Sequence, residues 1–309
     1  MRTFTNDETR RLLATAPLAL ELERALAELE AGQIRAPLRG GMETFGGGGA
    51  LWMPAAASDL VVCKLLTWHP AAPARGYPRS QGVVVVFSAL GVPLLVLDGA
   101  AVTQRRTAVL SLLAASRLAP AAQGPLLLMG TGAQAQAHLE AFGQGLGNCL
   151  VREVYVHGRD PDKVRAMLTR GWDLGIDMHP VERVDDALAQ CNLVVTATTS
   201  PSPILPAELT SRHFVAAIGA YKPNQAELPP QVFAGAEVVV DQLEAARAEA
   251  GDLIMAVEAG YLSWESVRPL SRALREERPN RGPVIFKSVG HAAFDLAAAR
   301  VALAQIASS

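Results

Sequence analysis

The chain predicts an α/β protein: a doubly wound parallel sheet preceded by a second region of helices and strands. Two observations carry this. From Gly124 onward, short apolar runs alternate with helix-compatible stretches, the pattern of strands covered by crossover helices. Before it, four strand-like runs (50–53, 60–67, 82–88 and 94–98) follow one another too closely for such crossovers, which predicts antiparallel pairing.

The elements follow in order. Residues 6–31 read as helical, with Asn6 or Asp7 as the cap and Leu12, Leu13, Leu18, Leu20, Leu22, Ala25, Leu26 and Leu29 on apolar faces. Pro17 divides this stretch into two helices. Residues 40–49 read as a Gly-rich connection, and Leu90-Gly91-Val92-Pro93 as a turn. Residues 108–118 and the Ala-rich 292–306 read as helices.

Composition narrows the function. The 309 residues are 50% hydrophobic with a net charge of −2, ample for a large core. The charge balance, with no basic run, argues against nucleic acid as a partner. No apolar run reaches the roughly 18 residues of a spanning helix, and Met1–Asp7 has no leader pattern, so no membrane partner is expected. Cys63, Cys149 and Cys191 lie far apart without metal-binding spacing, and the six histidines are scattered. A reducing cytoplasm and no metal site are therefore expected.

The densest signal is Pro125-Leu126-Leu127-Leu128-Met129-Gly130-Thr131-Gly132-Ala133-Gln134. A strand, a Gly turn and a helix start are what a dinucleotide pyrophosphate needs. The first Gly turns the chain, the second lets backbone approach phosphate, and the helix N-terminus offers N–H groups and positive potential. Gly130, Gly132, Ala133 and Gln134 are the candidate phosphate contacts. A third Gly is missing, with Gln136 read at its place, and a tight turn without a ligand is the alternative. A second strand, 153–158, ends about where the ribose is usually read. Arg159 follows, suited to the 2′-phosphate of NADP, while Asp160 keeps NAD open. An exposed Arg-Asp-Pro-Asp turn is the other reading. Residues 191–201 read as another strand running into a small polar loop, where Thr196 to Thr199, with Thr196, Ala197 and Thr198 as the candidate contacts, would border the cofactor.

Five segments in order resemble one family: Met53-Pro54-Ala55, Lys64 within a strand, Gln104-Arg105-Arg106-Thr107-Ala108, the Gly130 turn, and Lys287-Ser288-Val289-Gly290. The chain resembles the ornithine cyclodeaminase/μ-crystallin family over nearly its whole length. The resemblance implies a Rossmann domain at 119–291, inserted into a substrate-binding and dimerisation domain of residues 1–118 and 292–309, and a homodimer formed by sheet pairing. It also implies that Arg39, Lys64 and Arg106 hold a substrate carboxylate. Arg106 would further touch the cofactor, and Ser288 and Gly290 would lie beside the nicotinamide. Lys64 has its own argument: a Lys inside the apolar run 60–66 is costly to bury unless an anion meets it. Arg105 and Arg106 precede the expected helix, so one of them is expected to be solvated. His291 reads either as a substrate contact or as a helix cap.

The departures from the family decide the chemistry. Ornithine cyclodeaminases carry an Asp where Tyr221 stands, a Lys where Gln225 stands and a Glu where Leu51 stands. Cyclodeamination must recognise and activate a second amino group, which carboxylates do. Without them the resemblance points to the ketimine-reductase branch: reduction of a small α-imino acid, such as pyrroline- or piperideine-2-carboxylate, by NADPH or NADH. Lys64 is the expected proton donor and Tyr221 a weaker one. The alternatives are a cyclodeaminase using Glu43, Glu227 or Asp98, a nucleotide- or small-molecule-binding protein without turnover, and a different dehydrogenase.

Overall fold

The computed structural model describes residues 1–277 and 281–308. The chain divides into two compact units, Met1–Arg106 with His291–Ser309, and Thr107–Gly290. The second is thus inserted into the sequence of the first. The division falls inside one long helix, ahead of the boundary expected after residue 118.

In the first unit, β1 (Arg2–Thr3) leads to α1 (Asn6–Leu12) and α2 (Thr15–Glu30). The cap of α1 is neither Asn6 nor Asp7 but Thr5. Its hydroxyl accepts from the Glu8 N–H, and the Glu8 carboxylate accepts from the Thr5 N–H in return. The two helices part at Leu13-Ala14, before Pro17. Pro17 sits in the first turn of α2, where its missing N–H has no intrahelical acceptor to lose.

The Gly-rich segment is not a loop. It forms β2 (Gly40–Thr44), which pairs antiparallel with β3 (Gly48–Ala56). The glycines serve close approach: a Cβ on Gly40 would lie 2.3 Å from the Trp52 ring and one on Gly49 2.0 Å from that of Trp68. β4 (Leu60–Trp68), β5 (Ser80–Ser88) and β6 (Pro93–Asp98) continue the antiparallel meander, and β1 joins β6 in parallel. The sheet order is β1-β6-β5-β4-β3-β2. Helix α3 (Gly99–Leu118) starts well before residue 108, because Asp98 caps it by accepting from the Ala101 N–H at 2.7 Å.

The second unit alternates strands and helices. In chain order these are β7 (Leu126–Met129), α4 (Ala133–Gln144), β8 (Glu153–His157), α5 (Pro161–Asp173), β9 (Asp177–Pro180), α6 (Val184–Leu188) and β10 (Leu193–Thr196). Then come β11 (Phe214–Ala217), β12 (Glu237–Val240), α7 (Leu243–Glu249), α8 (Gly251–Glu258), β13 (Arg268–Pro269), α9 (Leu270–Ala273) and β14 (Val284–Lys287). All eight strands are parallel, in the order β13-β12-β14-β11-β10-β7-β8-β9. The four residues of each central strand are buried, which is why they read as apolar runs rather than alternating ones. The order reverses between β7 and β10. That is the switch point beside whose carboxyl ends ligands bind in such sheets.

The chain closes with α10 (Ala292–Ser308), which returns to the first unit and packs on α2, β3 and β4. No helix among the described residues is long and apolar enough to cross a membrane.

Candidate functional site

In the second unit the Gly turn stands at the switch point. Gly130 has φ 116°, and a Cβ there would lie 2.5 Å from the Ala197 carbonyl oxygen, so only Gly fits. Its N–H donates to the His157 carbonyl at the end of β8. Gly132 is the N-cap of α4, no side chain caps it, and a Cβ would meet nothing within 4 Å. Ala133 is exposed beside it, and Gln134 is half-buried. The result is an open, uncapped helix N-terminus at the end of a buried strand, which suits a pyrophosphate. The sixth position counted from Gly130 is Ala135, not Gln136. Ala135 is fully buried, as close packing of helix on strand requires.

The neighbouring strand ends are tied together by one carboxylate. Glu227 is completely buried and accepts from the Thr196 and Thr198 hydroxyls and from the N–H groups of Thr198, Gly219 and Ala220. Both Thr hydroxyls are therefore committed to Glu227. Ala197 donates its N–H to Met129, joining this loop to the Gly turn. Asp252 accepts from the Glu227 and Leu228 N–H groups. Lys287 pairs with Asp252 at 2.6 Å and donates to the Ala220 carbonyl at 2.6 Å. Tyr221 follows this anchored segment with its side chain 48% exposed. The Ser288 hydroxyl and the Gly290 N–H both donate to Asp241, each at 2.7 Å.

Beyond β8, Gly158 packs directly on the Gly turn, since a Cβ there would lie 2.7 Å from the Thr131 methyl. Arg159 comes next and is exposed. Asp160 caps α5, accepting from the N–H groups of Asp162 and Lys163.

The first unit holds a buried charge cluster. The Lys64 ammonium lies 3.0 Å from Asp295 Oδ1 and 2.9 Å from Oδ2, and Arg106 Nε lies 3.4 Å from Oδ1. The side chains are 1%, 0% and 5% exposed for Lys64, Asp295 and Arg106. Burial pushes the Lys64 ammonium down from 10.5 to about 8. Asp295 opposes this, and the positive charges of Arg106 and half-buried Arg39 add to it. Arg105 is not solvated. It lies inside α3, 5% exposed, and donates to the Leu13 carbonyl and the Thr15 hydroxyl, tying α3 to the start of α2. Asp295 went unseen in the sequence, although one acid within the apolar stretch 292–299 is the same signal that marks Lys64. His291 behaves as a cap: its Nδ1 accepts from the Ala293 N–H, and its ring stands edge-on to Phe294.

Comparison with known proteins adds three likenesses. The Delta(1)-pyrroline-2-carboxylate reductase 2 of Burkholderia ambifaria is 35% identical over 302 residues, covering 97% of this chain and 94% of that one. The Delta(1)-pyrroline-2-carboxylate/Delta(1)-piperideine-2-carboxylate reductase of Azospirillum brasilense matches to the same identity and coverage. In fold, the chain superposes on the Thermococcus litoralis Delta(1)-pyrroline-2-carboxylate reductase, solved with NADH and L-proline. The TM-score is 0.91 at 24% identity, covering 100% of this chain and 98% of that one. The sequence model of the ornithine cyclodeaminase/mu-crystallin family matches residues 3–309. With the inserted parallel sheet, the Gly turn and the Lys64 segment all in place, the chain belongs to the ornithine cyclodeaminase/mu-crystallin family.

Proposed function

We propose that this protein reduces a small α-imino acid, of the pyrroline- or piperideine-2-carboxylate type, to the amino acid with a nicotinamide cofactor. The observation that carries it is the buried cluster of the first unit. Lys64 and Arg106 share one carboxylate, Asp295, with Arg39 nearby. Two cations gathered at one buried carboxylate make a positively charged site, and a substrate carboxylate suits such a site. Arg39 and Arg106 bind and orient that carboxylate. The Lys64 ammonium donates a proton to the imine nitrogen and regains it from solvent. The reduced nicotinamide supplies the hydride that the imine carbon needs.

The residues at the switch point fit such a cofactor: Gly130 permits the turn, Gly132 leaves room, and the start of α4 lacks a side-chain cap. Thr196, Ala197 and Thr198 border it from β10, and Ser288 and Gly290 from β14. Arg159 favours NADPH over NADH. It is exposed one residue beyond the contact of Gly158 with the turn, whereas Asp160 is occupied as a cap. The protein works as a homodimer. Trp52, Leu65 and Val83 face one another in register across β3, β4 and β5, each 37–44% exposed, forming an apolar row that a second copy would cover. Three free cysteines accord with the cytoplasm as its place of work.

Of the three acids expected to serve cyclodeamination, two are engaged and the third lies on an exposed edge strand. Glu227 is saturated by donors, Asp98 caps α3 and accepts from Asn6, and Glu43 is exposed on the edge strand β2. The decisive assay follows absorbance of NADPH or NADH with pyrroline- and piperideine-2-carboxylate, beside an arm measuring ammonia from L-ornithine with NAD. Cofactor oxidation in the first arm alone is expected. Ammonia release would overturn the proposal, and cofactor binding without turnover in either arm would point to a binding protein.

A further inference from the structure

We propose that Asp295 is the positioning residue of this site: it aims the Lys64 ammonium and holds it charged for proton transfer. The inference rests on the reading of Lys64 as proton donor. A Lys head group on a four-carbon stem has no preferred direction of its own, and three donors to satisfy. Asp295 reaches it with both oxygens, at 3.0 and 2.9 Å, and takes Arg106 Nε on Oδ1 at 3.4 Å. One carboxylate thereby fixes two cations relative to each other.

Among the charges that act most strongly on Lys64, Asp295 is the one acid. The strands on either side of Lys64, β3 and β5, carry no charged residue. From α10, which packs over β4, the only other charged side chain is Arg300, engaged with Glu28 and Asp59. The remaining charges acting on Lys64, those of Arg106 and Arg39, are positive and favour its neutral form. Without Asp295, the buried Lys64 ammonium would face the positive charges of Arg106 and Arg39 without its own carboxylate. The ammonium would then release its proton before any substrate arrived. Asp295 also lets the two cations share one buried site.

The test is kcat against pH, with pyrroline-2-carboxylate and NADPH, for the wild-type protein, Asp295→Asn, Asp295→Glu and Lys64→Ala. In Asp295→Asn the alkaline limb should move down by at least about one pH unit, a tenfold change in proton affinity. The rate at neutral pH should fall accordingly and recover in acid. Asp295→Glu should keep the wild-type limb with kcat at least about fivefold lower, because the charge stays and the oxygens move. An unshifted limb in folded Asp295→Asn, or a wild-type kcat in Asp295→Glu, overturns the assignment. The Glu variant decides the matter if the Asn variant does not fold. Lys64→Ala separates the two levels. Activity retained there overturns the proton-donor reading itself. Activity lost there, with an unshifted limb in Asp295→Asn, overturns only the role of Asp295.

Discussion

Burial and charge pull the Lys64 ammonium in opposite directions, and burial wins, leaving it near 8. Two predictions follow from the sign. If Lys64 donates the proton, imine reduction requires its charged form, so kcat should fall as pH rises through about 8. Lys64→Ala should lose at least about a hundredfold in kcat while keeping its affinity for NADPH, read by fluorescence titration. Stability should move the other way. The folded pKa lies below the unfolded one, so between about 8 and 10.5 the unfolded chain binds more protons, and stability rises with pH across that window. Urea denaturation of wild type and Lys64→Met at pH 7.5 and 10 measures this, with the rise expected only in the wild type. Glu227 is a residue of a different kind. It is a buried carboxylate serving five donors, so Glu227→Ala strands them and should cost roughly 3 kcal/mol or more in a denaturation experiment.

At the scale of elements, the loops after β7, β10 and β11 act as one piece. The Gly130 turn is hydrogen-bonded to β8, Ala197 is bonded to Met129, and Glu227 laces the β10 and β11 loops together. A rigid frame of this kind lets backbone groups meet phosphate without reorganising. Gly130→Ala would force a positive φ on Ala and press its Cβ onto the Ala197 carbonyl. NADPH affinity should drop at least about tenfold, with about 1–3 kcal/mol of stability lost. Isothermal titration and thermal melts read the two effects separately. Arg159→Ala should raise the KM for NADPH by about tenfold and leave that for NADH nearly unchanged, the expected loss of a phosphate-paired Arg.

For the whole molecule, the insertion places the two candidate features in different units. The parallel sheet with its Gly turn lies in Thr107–Gly290, and the cation cluster with its C-terminal helix lies in the other unit. Substitution of Lys64 should therefore spare cofactor binding, and that of Gly130 should spare the cluster. The outward row of Trp52, Leu65 and Val83 belongs to this scale as well. Leu65→Lys places a charge in its centre and should convert a dimer to monomer in analytical ultracentrifugation. An unchanged sedimentation coefficient would remove this face from the assembly.

Much of this was legible in the chain, for physical reasons that operate locally. Buried parallel strands must be apolar throughout, so β7 and β10 announce themselves. A Gly turn between strand and helix is legible because no other residue tolerates its backbone, and Lys64 because a charge inside an apolar strand demands a partner. The Thr5–Glu8 box was equally local and was passed over for its neighbours. What the chain did not disclose is non-local. The glycines of β2 look like a flexible connection until Trp52 and Trp68 are seen lying across them. Arg105 looks solvated until α3 brings it to Leu13. Asp295 stands 231 positions from Lys64, and only the return of α10 across the first sheet makes them partners. The sequence by itself thus determined the alternation of buried strands and helices after Gly124, a strand-to-helix turn that needs Gly130, and a cation inside an apolar strand that needs a partner. The tertiary structure alone decided which acid meets which base, because a side chain's charge is written locally while its partner is chosen by the packing of distant elements.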